Sequence, residues 1–418
     1  MSRNAAPALR AAGRHDPYAA LRYGDFRRFL AGQFLAILGV QMQTVGLGWY
    51  LYERTSSALA LGGVGLAQVV PIFLLTLPAG HLADHLDRKR LLQATLLLAA
   101  ACSLGFAALA HGHGAVALVY ALLLLNGSAR ALMAPARDAL GPQLLPIELL
   151  GNGATWRSGL FQLASVLGPA AGGLIIGATQ RATPVFLAAA ASILVFAVLI
   201  APIRPRAYER GTRGPLRETV VGGVRFIRRT RILLATITLD LFAVLLGGAT
   251  MLLPVFARDI LHVGPRGLGW LMAAPSAGAV LVAVLLAQKP LHRAGRSLLW
   301  AVAGFGAATV GFGLSRSFPL SLLMLALIGG FDMVSIVVRS TLVQLLTPDE
   351  LRGRVGAVNA LFIGTSNELG GFESGAAAAL FGPVIAVVGG GIGSILIVLG
   401  VARIWPEVAR FGRLQAES

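Results

Sequence analysis

The chain has 418 residues, of which 56% are hydrophobic and only 13% are charged, and its mean hydropathy is +0.75. A soluble fold of this length does not carry so large an apolar fraction, so the composition indicates a protein that crosses a membrane several times. The formal net charge of +17 would suggest a nucleic-acid partner for a soluble chain. In a membrane protein basic residues set the orientation instead, so we expect no nucleic-acid ligand.

The first 25 residues are rich in arginine and lack the apolar core and small-residue cleavage site of a signal peptide. We therefore predict a cytoplasmic arm over residues 1–25. At the other end, we predict a cytoplasmic tail over residues 405–418.

Apolar runs of about 20 residues, the length that crosses ~30 Å of hydrocarbon, follow the arm in two sets of six. The first set lies at 28–52, 61–83, 91–110, 115–136, 154–178 and 183–202. The second set lies at 232–256, 267–288, 297–315, 319–343, 355–380 and 383–403. The sequence thus predicts an all-α polytopic membrane protein with twelve transmembrane helices, in an N-terminal half at 26–203 and a C-terminal half at 232–404.

Residues 204–231, between the two halves, form a polar segment rich in arginine, proline and glycine. We predict a cytoplasmic linker with a short amphipathic helix at Thr219–Arg229 that lies on the membrane surface. With both termini in the cytoplasm, 29 of the 35 basic residues fall on the cytoplasmic side and five outside. Because lysine and arginine set topology, this asymmetry predicts that orientation.

The two halves repeat one another at a constant shift of 202 residues. The pattern R-x-x-L-x-x-x-L-x-P-x-E-L-x-G begins at Arg137 and again at Arg339, and it is too long to arise from composition alone. In the second copy, Thr347 and Glu350 form a capping box around Pro348, which predicts that the eleventh helix begins near Pro348.

The junction between the second and third apolar runs, residues 78–92, reads PAGHLADHLDRKRLL. Gly80, Asp84, Arg88 and Lys89 fit the pattern G-x-L-A-D-x-x-x-R-K, which resembles the signature between the second and third helices of the major facilitator superfamily of transporters. That signature has a second glycine where this chain has Asp87. The resemblance implies two parallel six-helix repeats related by an axis along the membrane normal, with the substrate site between them near the midplane.

This junction predicts a breakable cytoplasmic latch between the halves. The carboxylate of Asp84 can accept hydrogen bonds from free N–H groups at the start of the eleventh helix, and Arg137 is a second candidate partner. The alternative is that the basic residues of the loop serve only as topology anchors.

An ionisable side chain within a membrane costs ~2.5–3.5 kcal/mol and so needs a partner, water or a function, and five such residues stand out in the predicted helices. They are Arg130, Asp240, Asp332, Glu368 and Glu373. In the resembled fold, the first, fourth, seventh and tenth helices line the central cavity, which implies that Arg130, Asp240 and Asp332 lie there. Polar residues of the first helix offer hydrogen bonds without charge: Gln33, Gln41, Gln43 and Thr44.

Arg130 and Asp332 occupy equivalent positions at the 202-residue shift, so they can pair across the cavity in one conformation and separate in another. The alternatives are that Asp332 pairs with Arg339, seven residues further on the same helix face, or that Arg130 serves a structural partner.

The four intramembrane carboxylates are candidates for proton coupling, because a carboxylate screened from water can load and release a proton near neutral pH. Asp240 comes first because no basic residue lies within two helical turns of it in the sequence. Glu373, Glu368 and Asp332 follow. The alternative for the two glutamates is structural hydrogen bonding, for example to Ser366 or Ser374.

The fifth helix contains G-P-x-x-G-G, which resembles the core of the antiporter signature of drug-exporting branches of the superfamily. A proline frees a backbone carbonyl and glycines allow close helix crossing, so we predict a kinked and tightly packed pivot. Ordinary packing in a chain with 52 glycines is the alternative. The residues are Gly168, Pro169, Gly172 and Gly173.

Residues 25–71, 239–261 and 332–375 resemble the exporter branch that includes the enterobactin exporter and macrolide efflux proteins. Together with the junction, the likeness covers most of the chain outside the ends and the linker. It implies a secondary active efflux transporter of the bacterial inner membrane, an H⁺-coupled antiporter that exports an amphipathic siderophore or drug by alternating access. An importer or facilitator of a small metabolite is the alternative within transport, and a non-transporting scaffold or sensor is the alternative from another class.

No enzyme activity and no cofactor are expected, because the chain has no Walker P-loop and its seven histidines form no paired motif. The single Cys102 excludes an intramolecular disulfide, and no metal-ligand spacing is present. The expected partners are a small-molecule substrate, protons and the lipid bilayer, with the chain as a monomer.

Overall fold

The structure is a computed structural model that describes residues 16–204, 216–288 and 293–412. Within helices it leaves undescribed the side chains at 76–77, 80–81, 83–85, 216–220, 349–350 and 357. Across the described residues the chain is helical, which confirms the predicted all-α fold.

The first half contains six long helices after a short 3₁₀ turn at Ala19–Arg22. They are α1 (Gly24–Thr55), α2 (Ala58–His85), α3 (Arg88–Gly112), α4 (Val116–Gln143), α5 (Leu150–Thr179) and α6 (Thr183–Ile200). The linker contributes α7 (Leu216–Arg229).

The second half begins with a composite segment in which α8 (Arg231–Leu246) continues through a 3₁₀ turn (Ala249–Leu252), α9 (Leu253–Val255) and a π-helical turn (Phe256–Ile260). The helices that follow are α10 (Gly264–Gln288), α11 (Ala294–Leu314), α12 (Phe318–Leu346), α13 (Asp349–Phe381), α14 (Pro383–Ile404) and the short α15 (Pro406–Arg410).

Eleven of these segments are long and apolar enough to cross a membrane within the described ranges. The twelfth predicted span corresponds to α13, whose 33 residues extend ~50 Å at 1.5 Å per residue. Its sequence holds Glu368 and Glu373 together with Arg352 and Arg354, which lowers its hydropathy. Because α13 packs along α2, α8 and α14, it belongs to the same bundle as the eleven apolar segments.

One end of the bundle holds the turns after α1, α3, α5, α11 and α13 and the end of the π-helical turn; we call it the distal end. Three of its turns end a helix with a non-glycine residue in the left-handed conformation, and these residues are Ser56, His113 and Gln180. At Gly382, where φ is +89°, the chain passes directly from α13 to α14. These tight turns make consecutive helices antiparallel neighbours, so the distal end is built from short connections.

Helix packing in the second half copies the first. In the first half, α2 packs on α4, α3 packs on α4 and α6, and α1 packs on α5 and α6. The equivalent pairs of the second half are α10 with α12, α11 with α12 and α14, and α8 with α13 and α14. The halves meet along two equivalent interfaces, α2 with α13 and α5 with α10.

Glycine allows the close approach at both interfaces between the halves. A Cβ added at Gly375 of α13 would lie 2.5 Å from the Cα of Gly62 in α2. A Cβ added at Gly173 of α5 would lie 2.7 Å from the Cα of Gly269 in α10. Because helices in lipid associate through close backbone packing, both contacts depend on the absence of a side chain.

The amphipathic helix predicted in the linker is present as α7, but its apolar face packs on protein. Ile227 is buried against Val355 and Val358 of α13, whereas Arg225 and Arg228 are exposed. The prediction that this helix lies on the membrane surface with its apolar face on the bilayer is therefore wrong. The covering surface belongs to the eleventh membrane helix, which the sequence could not place beside the linker.

The predicted capping box before α13 is also wrong. Pro348 is the N-cap residue of α13, and its side chain makes no capping hydrogen bond. The hydroxyl of Thr347 is buried without a hydrogen-bond partner. Proline supplies the extended N-cap conformation, so the helix begins one residue later than the sequence pattern indicated.

The first prediction concerns topology, which the concentration of basic residues opposite the distal end motivates. A protease site inserted between Arg204 and Leu216 should be cut in inverted membrane vesicles and protected in right-side-out vesicles. A matched site inserted after His113, at the distal end, should show the reverse pattern. Cleavage of the linker site in right-side-out vesicles would contradict the predicted cytoplasmic linker.

Candidate functional site

A buried ion pair joins two helices of the second half. Asp240 of α8 and Arg339 of α12 are 7% and 8% exposed, and Nη1 of Arg339 forms an ion pair with Oδ2 of Asp240. The Nε of Arg339 donates to Oγ of Ser335, one turn earlier, at 3.2 Å. The guanidinium is therefore held by groups on two helices.

This pair corrects the reason for ranking Asp240 first. The sequence predicts a lone carboxylate at Asp240, because no basic residue is near it in the chain. Packing of α8 on α12 brings Arg339 to it from far along the sequence. Arg339 is one of the 29 basic residues expected on the cytoplasmic side, and its side chain is buried among helices.

Asp332 lies on the same face of α12 as Arg339, and it interacts electrostatically with both Arg339 and Asp240. A small cavity between α8, α11 and α12 reaches the two carboxylates and Ser335, and its remaining wall is apolar. The apolar residues are Ala243, Val244, Val302, Phe305 and Phe331. We call Asp240, Asp332, Ser335 and Arg339 the acidic cluster, because it holds two carboxylates and one guanidinium.

Arg130 does not pair with Asp332 in this structure. Its Nη1 donates to Oε1 of Gln68 in α2, and the carboxylate on which it acts electrostatically is Glu368 of α13. A Cβ at Gly65, one turn before Gln68, would clash with the backbone carbonyl of Glu368. The close packing of α2 on α13 therefore brings Glu368 to Arg130 from the other half.

Glu373 has a local partner. The hydroxyl of Ser374 donates to its Oε2 at 3.3 Å, and Glu373 itself is partly buried. No basic residue is paired with Glu373 among the ion pairs of the described residues. Its surroundings therefore differ from those of Glu368, although both lie on α13.

The polar residues of α1 divide into two groups. Gln43 is buried and its Oε1 accepts a hydrogen bond of 2.6 Å from Ser103 of α3, so it fixes packing within the first half. Gln33 is buried as well, whereas Gln41 is half-buried and Thr44 is exposed. Gln41 and Thr44 are therefore the members of this set that are at least partly exposed.

The G-P-x-x-G-G motif of α5 lies where α1, α5 and α10 meet. A Cβ at Gly168 would lie 2.5 Å from the Cβ of Gln41 in α1. A Cβ at Gly269 of α10 would lie 2.6 Å from the carbonyl oxygen of Pro169 and 2.9 Å from the Cα of Gly173. The motif thus packs α5 against its own half through Gly168 and Gly172 and against the other half through Gly173.

The predicted latch falls partly outside the described residues. Gly80 and Asp84 belong to α2, which continues to His85, but their side chains are not described. Asp87, in place of the second glycine, is the N-cap of α3 and accepts from the backbone N–H groups of Lys89 and Arg90 at 2.9 and 3.1 Å. An N-cap carboxylate thus replaces the glycine in forming the turn.

Two further residues assigned to the latch have contacts within the first half. The Nζ of Lys89 donates to the carbonyl of Ala201 at 2.7 Å. Arg137 pairs with Asp138 at 3.1 Å, and Arg157 of α5 shares the same carboxylate at 2.8 Å. Arg88 is half-buried at the start of α3. The role of Asp84 as a latch stays a prediction.

The sequence named Arg339 as an alternative partner of Asp332, but its pairing with Asp240 was missed, and so were Ser335 and Gln68. The spacing of Asp332, Ser335 and Arg339, at i, i+3 and i+7, places them on one helix face and was available as a signal. Gln68 carried no comparable signal. Among the described residues there is no group of three or more histidine, cysteine or acidic side chains that could hold a metal ion.

The sequence pattern of the family described as "Transmembrane secretion effector" matches residues 15–410. The chain therefore belongs to this family of the major facilitator superfamily, and it is a membrane transporter, not an enzyme. This confirms the family resemblance seen in the sequence motifs.

Two characterised relatives are similar over most of their length. The multidrug efflux pump Tap of Mycolicibacterium fortuitum is 28% identical over 353 residues, which is 80% of this chain and 84% of Tap. The enterobactin exporter EntS of Escherichia coli O81 (strain ED1a) is 25% identical over 398 residues, 92% of this chain and 93% of EntS.

Solved structures show the same fold at much lower identity. The peptide transporter POT in complex with sulfate superposes with a TM-score of 0.72 at 14% identity, over 96% of this chain and 100% of POT. The nucleoside transporter NupG superposes with a TM-score of 0.71 at 13% identity, over 91% of this chain and 99% of NupG. These likenesses confirm the fold and do not bear on substrate.

The second prediction concerns the buried ion pair. Arg339→Met should leave the charge of Asp240 without a partner and lower stability by about 3–5 kcal/mol, because removal of one member of a buried pair strands the other. Adding Asp240→Asn to that variant should recover much of the loss. Thermal unfolding in detergent measures both effects.

The control for this prediction is Arg316→Gln, which removes an exposed arginine at the distal end. It should leave the melting temperature unchanged. Equal losses for Arg339→Met with and without Asp240→Asn would show that Arg339 stabilises the fold independently of Asp240.

Proposed function

We propose that this protein is a secondary active efflux transporter, an H⁺-coupled antiporter that exports an amphipathic organic molecule such as a drug or siderophore by alternating access. The observation that carries the proposal is the acidic cluster, which borders a small cavity whose remaining wall is apolar. With both carboxylates ionised, the cluster holds one negative charge in excess. In apolar surroundings such a charge needs compensation, and a proton supplies it.

The geometry of the cluster favours a coupled movement of charge. Arg339 pairs with Asp240 while it also interacts with Asp332 two turns earlier on its own helix. Protonation of Asp240 removes the charge that holds the guanidinium to α8. Arg339 is then free to turn toward Asp332, and the contact between α8 and α12 weakens. Proton binding would thus alter the packing of the second half.

Two relatives named as exporters favour export over import. Tap is a multidrug efflux pump and EntS an enterobactin exporter, and both align over most of this chain. At 28% and 25% identity the substrate of neither can be transferred, so the proposed class is kept to what both share, an organic molecule that leaves the cell. Gln41 and Thr44 in α1 offer polar contacts to such a substrate.

The group formed by Arg130, Gln68 and Glu368 supports a substrate site between the halves. Gln68 and Arg130 come from the first half and Glu368 from the second, so a ligand that contacts them contacts both halves. A ligand that bridges two halves can bind one arrangement of them more tightly than another, which is what alternating access requires.

The third prediction tests coupling in inverted vesicles, where export appears as uptake into the lumen. Acidifying the lumen should drive uptake of a substrate found in a panel of hydrophobic cationic, hydrophobic neutral and siderophore compounds. Dissipating the gradient with a protonophore should abolish the accumulation. Substrate movement that does not respond to the gradient would contradict proton antiport. Uptake into right-side-out vesicles that is driven by an acidic exterior would instead support a proton-coupled importer.

The fourth prediction assigns the coupling to the acidic cluster. Asp240→Asn keeps a hydrogen-bonding group beside Arg339 but cannot ionise, so the variant should fold and move substrate down its concentration gradient. Its response to the pH gradient should fall roughly tenfold or more, which is the loss expected when a single charge interaction is removed. Glu407→Gln is the matched control, because Glu407 is half-exposed and pairs with Arg231 on the surface. An unchanged gradient response in Asp240→Asn would exclude Asp240 from coupling. The remaining candidates would then be Asp332, Glu368 and Glu373.

A further inference from the structure

Polar contacts join the two halves at the distal end of the bundle. The hydroxyl of Tyr52, in the last turn of α1, donates to Oδ2 of Asp259 in the second half. Nη1 of Arg258 donates to the carbonyl of Tyr52 at 3.2 Å and to Oγ of Ser56 at 3.2 Å. The guanidinium carbon of Arg258 lies 5.6 Å from the centre of the Tyr52 ring. Two consecutive residues of the second half therefore hold the end of α1.

Local structure on both sides presents these groups to each other. Ser56 takes the left-handed conformation, with φ of 45°, and ends α1 by donating its N–H to the carbonyl of Tyr52. Arg258 and Asp259 lie in the π-helical turn Phe256–Ile260. Such turns are rare within helices and are frequent at functional sites.

The contact lies beside the axis that relates the halves. Ser56 and Arg258 are separated by 202 residues, which is the shift of the internal repeat, so they hold equivalent positions in the two halves. Equivalent positions of two halves related by a twofold axis contact one another only close to that axis. Separation of the halves at the distal end must therefore break this contact.

The same end holds the close glycine contacts Gly62 with Gly375 and Gly173 with Gly269. Arg266 of α10 adds a hydrogen bond of 3.4 Å to the carbonyl of Gly177 in α5. The glycine contacts bury backbone against backbone, whereas the side chain of Asp259 is 48% exposed and that of Arg258 is 38% exposed. Water can replace the polar contacts when they open, which suits contacts that break and re-form.

We propose that Tyr52, Ser56, Arg258 and Asp259 form a distal lock that holds the distal end closed and must open once in each transport cycle. The inference rests on alternating access, as the proposed function does, but not on proton coupling or on any substrate. A charge-assisted hydrogen bond of the kind between Tyr52 and Asp259 changes an equilibrium by roughly 10- to 100-fold. The lock is therefore strong enough to set the ratio of distally closed to distally open states without determining the fold.

The experiment measures that ratio directly by electron paramagnetic resonance distances. In a Cys102→Ala background, spin labels at Arg181→Cys and Arg316→Cys report on the distal ends of the two halves, since both residues are exposed there. The parent should give mainly one short distance. Tyr52→Phe should raise the longer-distance population roughly tenfold or more. Asp259→Asn, which keeps an acceptor for the Tyr52 hydroxyl but loses the charge, should raise it several-fold.

A matched control uses another arginine of the same end. Arg54 donates to Tyr50 at 3.0 Å and to the carbonyl of His113 at 2.7 Å, both within the first half. Arg54→Gln should leave the distance distribution unchanged. The pair Tyr52→Phe and Asp259→Asn should be non-additive when combined, because Tyr52→Phe removes the hydrogen bond from which Asp259→Asn removes the charge.

An unchanged distance distribution in Asp259→Asn and Tyr52→Phe, with a lowered melting temperature, would overturn the lock and leave a structural brace. Should either variant fail to fold, Arg258→Gln, which removes the contacts to Ser56 and the Tyr52 carbonyl, provides the same test. The measurement needs neither substrate nor gradient. Loss of proton coupling with an intact lock would therefore contradict only the proposed function, and a distance distribution that neither lock variant changes would contradict only the lock.

Discussion

A charge inside a membrane must be paired, hydrated or used, and this constraint accounts for where the charged side chains of this transporter lie. Arg339 is shared by Asp240 and Asp332, and Arg130 is held by Gln68 beside Glu368. Each arrangement draws groups from more than one helix. The partners of each charged side chain therefore depend on which helices are adjacent. Any movement of those helices must give each charged side chain a new partner.

The interfaces between the halves combine two kinds of contact. Glycine contacts in α2 with α13 and in α5 with α10 bring backbones together and tolerate little variation in side-chain size. Polar contacts around Tyr52 and Asp259 are partly exposed and can be exchanged for water. A structure that alternates between two arrangements needs both, since close packing favours discrete states and exchangeable polar contacts lower the barrier between them.

The helix α13 links most of the features that bear on mechanism. It packs along α2 of the other half, carries Glu368 and Glu373, and receives the linker helix α7 near its start. Its polar sequence is what separates it from the eleven strongly apolar segments. A membrane helix tolerates polar residues where neighbouring helices or water cover them, and α13 packs on helices of both halves and on the linker helix.

The sequence alone determined the class of the protein, since helix length, apolar composition and the internal repeat are local or periodic properties that packing does not alter. It also located the intramembrane carboxylates and the glycine motif of α5, because these depend on residue type within an apolar run. Only the tertiary structure decided the partners. Asp240 was expected to be alone and pairs with Arg339, Arg130 was expected opposite Asp332 and lies by Glu368, and α7 was expected on the bilayer and packs on α13. Each of these outcomes depends on which helices are neighbours and how they are rotated, and neither property is encoded in the spacing of residues along one helix.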